Sequence, residues 1–156
     1  MIVVKQNLHT FVQMKLLTIS IFTVFVLALS NCKKNSSDSD VPNTLVDITL
    51  YLTQYPYSNL NTVGNWLYIS GGVRGIVVYT SAPEQFVAIE RNCTYQSSNS
   101  SAIVSVDSSY AFLEDTTCGS KFYLNDASVA NGPATVPLKK YNTSYNPTTK
   151  ILHIYN

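Results

Sequence analysis

From residue 45 onward, apolar and polar positions alternate with the period of a β-strand. Val46, Ile48, Leu50 and Leu52 share one face of the stretch 45–52, and Asp47, Thr49 and Tyr51 share the other. That pattern predicts a half-buried strand. Tyr55-Pro56-Tyr57-Ser58-Asn59 breaks it. Further strands are predicted at 66–69 and 75–79, with Gly71-Gly72 turning the hairpin between them. Another at 85–91 runs directly into Cys93. Short hairpins follow at 102–106 with 110–113, and at 122–124 with 127–129 across Asn125-Asp126. Two last strands, 138–145 and 150–155, meet through Asn146-Pro147. No segment carries a long helical period. Nine or ten short, closely spaced strands predict an all-β sandwich or barrel, and eleven tyrosines suit half-buried strand positions.

The N-terminal part has a different pattern. Met14-Lys15 opens an uncharged, mostly apolar run at 16–29, shorter than the roughly 20 residues a spanning helix needs. A basic start, a short apolar run and small residues before a break read as a secretory signal. Leu29-Ser30-Asn31-Cys32 resembles the lipobox of bacterial lipoproteins, with Asn31 in place of the usual small residue. That resemblance implies cleavage before Cys32 and a lipid on Cys32; a plain signal peptide is the alternative. The expected organisation is a signal at 1–31, with Met14 an alternative start, a lipidated cysteine and polar tether at 32–43, and one β domain at 44–156.

From Cys32 onward, eight Lys and Arg face nine Asp and Glu, one net negative charge without a basic stripe. Nucleic-acid binding, which needs clustered cations, is not expected. Membrane contact is expected through the lipid, placing the protein in the cell envelope, on the outer membrane or the periplasmic face. With Cys32 lipidated, Cys93 and Cys118 remain in an oxidising compartment, a disulfide candidate by count.

Phe86-Val87-Ala88-Ile89-Glu90-Arg91-Asn92-Cys93, Cys118-Gly119-Ser120-Lys121-Phe122, Gly132-Pro133-Ala134 and Leu152-His153-Ile154 resemble, in that order, successive parts of the Rieske 2Fe–2S domain family. These are the strand entering the first cluster loop, the end of the second loop, the proline loop over the cluster, and the closing strand. The resemblance covers nearly the whole domain and implies stacked antiparallel sheets with a small cluster-loop subdomain. Its chemistry does not carry over. The family centre takes two thiolates on one iron and two imidazoles on the other. Cys93 stands at the first thiolate position and Tyr95 at the first imidazole position. Matching Gly-Ser-x-Phe puts Cys118 at the second imidazole position and Asp115 at the second thiolate position. A rival alignment makes Cys118 the thiolate and puts Lys121 at the imidazole position. Neither supplies a histidine: the chain has two, His9, upstream of the cleavage site, and His153, near the C-terminus.

The resemblance also implies that the loops carrying Cys93 and Cys118 lie together, where the two sulfurs would bond directly as a disulfide staple. No metal, no cofactor and no catalytic residue are expected; an altered 2Fe–2S site held through Cys93 and Cys118 is the alternative. Glu114 and Asp115, as strand neighbours, are expected on opposite faces, with Asp115 accepting hydrogen bonds within its loop. Gly71-Gly72-Val73-Arg74-Gly75 precedes a strand and is read as a turn, not a phosphate loop. Tyr51, Tyr55 and Tyr57 are expected to pack in core and turns, an exposed face for a protein or glycan partner being the alternative. The function expected is that of a non-enzymatic binding or structural module tethered to a membrane, with electron transfer as the alternative and a thiol-redox role as the third.

Overall fold

The structure, a computed structural model, describes residues 41–156; the signal and lipidation assignments, including Cys32, lie outside the described residues. Among the described residues, ten strands form two antiparallel sheets. β1 (Asp47–Tyr51), β2 (Trp66–Ile69), β3 (Ile76–Ala82), β4 (Gln85–Glu90), β9 (Lys140–Asn146) and β10 (Ile151–Tyr155) make a six-stranded sheet in the order β1-β10-β9-β4-β3-β2. β5 (Ser105–Val106), β6 (Phe112–Glu114), β7 (Lys121–Tyr123) and β8 (Val129–Asn131) make a four-stranded meander in sequence order. All the hairpins predicted from the turn residues form, including β2–β3 beyond Gly71-Gly72 and β9–β10 beyond Asn146-Pro147. The break at Pro56 leads into a short 3-10 helix, Tyr57–Asn61, which plugs Leu60 into the interior.

Two cores hold the domain. The large sheet curls, so that Leu50, Ile76, Val78, Ala88, Leu152 and Ile154 meet on its inner side together with Leu60. Val77 and Ile89, one step out of phase on the same strands, point the other way and join Leu113, Phe122, Leu124 and Leu138 under the small sheet. Strand β3 is therefore covered on both faces, and Ile76-Val77-Val78 is an unbroken buried run. Burying each large apolar side chain contributes about 1.5–3 kcal/mol.

The small sheet is tied down by the chain leaving β4. Val104 donates its amide to the Arg91 carbonyl at 2.8 Å and Cys93 to the Ala102 carbonyl at 3.0 Å. The Arg91 guanidinium lies 3.8 Å above the Tyr68 ring and donates to the Val104 carbonyl at 3.0 Å. These bonds hold Cys93 in the core under the small sheet.

Two turns of the meander repeat one device. Asp107 and Asp126 each accept both the hydroxyl and the amide of a serine two residues on, Ser109 and Ser128. The Ser128 bonds hold the Asp126 carboxyl below its usual range of about 3.8. A depressed folded-state value means that the turn's contribution is present above the unfolded value and is lost as pH falls through the folded one. Asp126→Asn should therefore lower the thermal midpoint at neutral pH, and the difference from the parent should shrink on acidification below about pH 3.8.

Candidate functional site

Two loops converge at the end of the small sheet. Cys93 leaves β4 fully buried. The second loop is the tight β6–β7 turn, in which the Asp115 amide donates to the Ser120 carbonyl at 3.0 Å and the Gly119 amide to the Asp115 carbonyl at 2.7 Å. Gly119 takes a φ of 81°, a left-handed conformation that glycine adopts freely. This turn carries Asp115, buried, and Cys118, half-buried, back over Cys93. The two sulfurs and a carboxylate oxygen of Asp115 all lie within 4.8 Å of one another.

Each of these groups is oriented by its own loop. The Thr117 amide donates to Asp115 Oδ1 at 2.8 Å, while the Cys118 thiol donates to Oδ2 at 3.4 Å. Ser120, fully buried, has its hydroxyl 3.1 Å from Cys118 Sγ, and its amide donates to that sulfur at 3.4 Å. A third segment closes the site: the Ala134 amide donates to Ser120 Oγ at 2.9 Å, and the Thr94 hydroxyl donates to the Val136 carbonyl at 2.6 Å. Burial pushes the Cys93 thiol well above its usual range. The Tyr95 amide pulls the other way, and the hydrogen bond to Asp115 raises it again. A thiol held protonated in this way is a poor nucleophile.

Of the residues singled out in the sequence, Cys93, Asp115 and Cys118 come together. Tyr95 packs against the core that contains Cys93. Asp115 and Cys118 share the site with Cys93, and Lys121 pairs with Glu114 at 3.2 Å and Asp107 at 3.8 Å instead. Both cysteines are free thiols. Glu114 and Asp115 turn to opposite sides as strand neighbours should, Glu114 toward Lys121 and Asp115 inward. His153 stacks on Tyr155 with ring centroids 5.0 Å apart, and its Nε2 meets Asp47 at 2.6 Å across the β1–β10 pair.

The donor set does not fit a Rieske 2Fe–2S centre. Two sulfurs and one hard carboxylate converge, and no imidazole joins them among the described residues. The iron that imidazoles would hold in such a centre has no nitrogen ligand here.

The tyrosines divide. Tyr51 and Tyr55 are exposed, contrary to the packing expected of them, while Tyr57 packs against the inner core as expected. Sequence reasoning missed a separate open cleft of about 550 Å³ lined by Trp66 and Tyr110 with Asn59, Val63, Gly64 and Asn65. Those residues come from segments that only the tertiary fold brings together.

It also missed Glu90, whose carboxylate is fully buried. Glu90 Oε2 accepts the Val73 amide at 2.8 Å and the Tyr141 hydroxyl at 2.7 Å; Oε1 accepts the amides of Arg74 and Asn92, each at 2.9 Å. The glycine-rich turn thus cradles an anion from its own chain. Burial, and then the Glu90 carboxylate, push the Tyr141 hydroxyl well above its usual range. Placing the glutamate one residue after the apolar run Phe86-Val87-Ala88-Ile89 and opposite a glycine pair was the signal available.

No family model matches the chain, and no curated protein sequence matches it. Among solved structures it matches one described as a complex of reduced oxygenase and oxidized ferredoxin in carbazole 1,9a-dioxygenase. That match has 21% identity and a TM-score of 0.42 over 60% of this chain and 90% of that one.

Proposed function

We propose that this chain is a lipid-anchored cell-envelope protein whose β domain is built on the Rieske plan without the Rieske cofactor, and that it serves as a binding or structural module. The observation that carries this reading is the donor set. The two converging loops offer two thiols and one carboxylate, and the one described histidine is occupied with Asp47 on the large sheet. The raised Cys93 thiol favours a structural pair over a nucleophile or a thiol-exchange centre. In an oxidising compartment the two thiols join as a disulfide, their two protons released and two electrons passed to a disulfide-bearing oxidant. The bond then links the two loops where a cluster would otherwise have done so. The binding face on this reading is the cleft between Trp66 and Tyr110, where flat aromatic surfaces stand beside amides, a chemistry suited to a glycan or a protein loop.

Protein purified both with and without oxygen should be colourless and free of iron. Visible absorbance accompanied by stoichiometric iron, in either preparation, would establish the electron-transfer alternative and end this reading.

A further inference from the structure

We propose that the reduced form of Cys93, Asp115 and Cys118 is a mononuclear site for a thiophilic, filled-shell cation of the zinc class, bound by two thiolates and one carboxylate with a fourth position open. The inference rests on the reading of this site as a dithiol site without iron and names its ligand.

Four features point to a cation. The first is size. A tetrahedral zinc separates its sulfur and oxygen ligands by about 3.5–3.8 Å. The three donor atoms already lie within 4.8 Å of one another, so small side-chain rotations close the set.

The second is charge. Asp115 is 1% exposed. Glu90 is met by four strong donors, but Asp115 Oδ2 takes the Cys118 thiol, and no lysine or arginine pairs with Asp115 among the described residues. A buried carboxylate without a counter-ion is costly, and a cation at this point removes that cost.

The third is the treatment of the Cys118 sulfur. Cys118 Sγ takes the backbone amide of Ser120, two residues on. Amide donation stabilises a thiolate over a thiol. The same sulfur meets Asp115 Oδ2 at 3.4 Å.

The fourth is access and support. Thr117 pins Asp115 Oδ1 and leaves Oδ2 to the Cys118 sulfur, as a hydrogen bond from a neighbouring group orients a metal-bound carboxylate. Cys118 is half-buried and gives a path from solvent. Ser120 Oγ, held by the Ala134 amide beside Cys118, borders the fourth position. On binding, the cation displaces the two thiol protons, and no electron is transferred.

The test uses the full chain carrying Cys32→Ser, reduced, with two thiols counted, and titrated with Cd2+ alone. An ultraviolet thiolate-to-Cd2+ charge-transfer band should rise to a 1:1 end point and be reversed by Zn2+. Cys118→Ser and Cys93→Ser should abolish it. Asp115→Asn should weaken binding by at least about tenfold. Absence of the band in protein that retains both thiols overturns the proposal, as does a band that survives Cys118→Ser. Because Cys93 is in the core, a Cys93→Ser variant that fails to fold transfers the decision to Cys118→Ser and Asp115→Asn, each verified by circular dichroism. Failure here leaves the iron-free reading intact, whereas iron–sulfur absorbance in the untreated protein removes both.

Discussion

Glu90→Ala should destabilise the domain by about 3–5 kcal/mol in chemical denaturation, a loss out of proportion to any exposed glutamate on the chain. The reason lies in what the side chain satisfies. Three amides and one hydroxyl converge on a carboxylate with no exposed surface. Truncation leaves four donors unpaired, two of them buried and two part-buried, each worth about 1–3 kcal/mol when no water reaches it. Glu90→Gln keeps one acceptor oxygen but turns an amide group toward donors, and its loss should fall between that of the parent and that of Ala. Gly72 is the other half of the device. A Cβ there would lie 2.1 Å from Glu90 Oε2, and the residue holds a φ of 63°. Because Glu90 is pinned from four sides it cannot retreat, so Gly72→Ala should cost stability by the same route. The Gly72→Ala, Glu90→Ala double variant should be distinctly less than additive, since both single changes break one network. Strict additivity in that cycle would show that the two residues act separately.

Oxidised protein should be more stable than the reduced protein by about 3.5 kcal/mol, the chain-entropy value for a loop closed across the 25 positions from Cys93 to Cys118. Intact mass measured without reductant should be lower by two hydrogens, and the stability difference should disappear in Cys118→Ser. The loops are already docked through Ser120 and Thr94 onto the segment that follows Gly132-Pro133. The bond therefore acts mainly on the unfolded chain, and reduction should lower stability without changing the circular dichroism of the folded form. Two free thiols in protein freshly isolated from an oxidising compartment would remove the disulfide from the proposed function. That outcome would leave the sulfurs available to the cation.

The strands were legible because their signal is local. Alternation at 45–52, glycine pairs and Asn-Asp or Asn-Pro turns mark each hairpin within a few residues, and the structure places β1 through β10 on those stretches. Boundaries moved where tertiary bonds extend a strand, as in β3, which continues to Ala82 through an irregularity between Thr80 and Ala82. Asn43 accepts hydrogen bonds from Lys139 at 2.8 Å and Asn156 at 3.0 Å, contacts between residues far apart in the chain. The grouping of Cys93, Asp115 and Cys118 was legible only through the order of motif fragments. Periodicity alone contains nothing that joins residue 93 to residue 118.

By itself, then, the sequence determined the strand content, the hairpin turns and the opposite faces of Glu114 and Asp115. Each depends on residue type, on a period of two or on a short turn, all properties of neighbours along the chain. Only the tertiary structure decided that β1 closes on β10 and β4 on β9. It also decided that Glu90 is buried under a glycine turn and that buried Asp115 brings a carboxylate oxygen within 4.8 Å of both sulfurs. These depend on contacts between residues far apart in the chain, where packing and the need to satisfy buried polar groups, not local preference, select the arrangement.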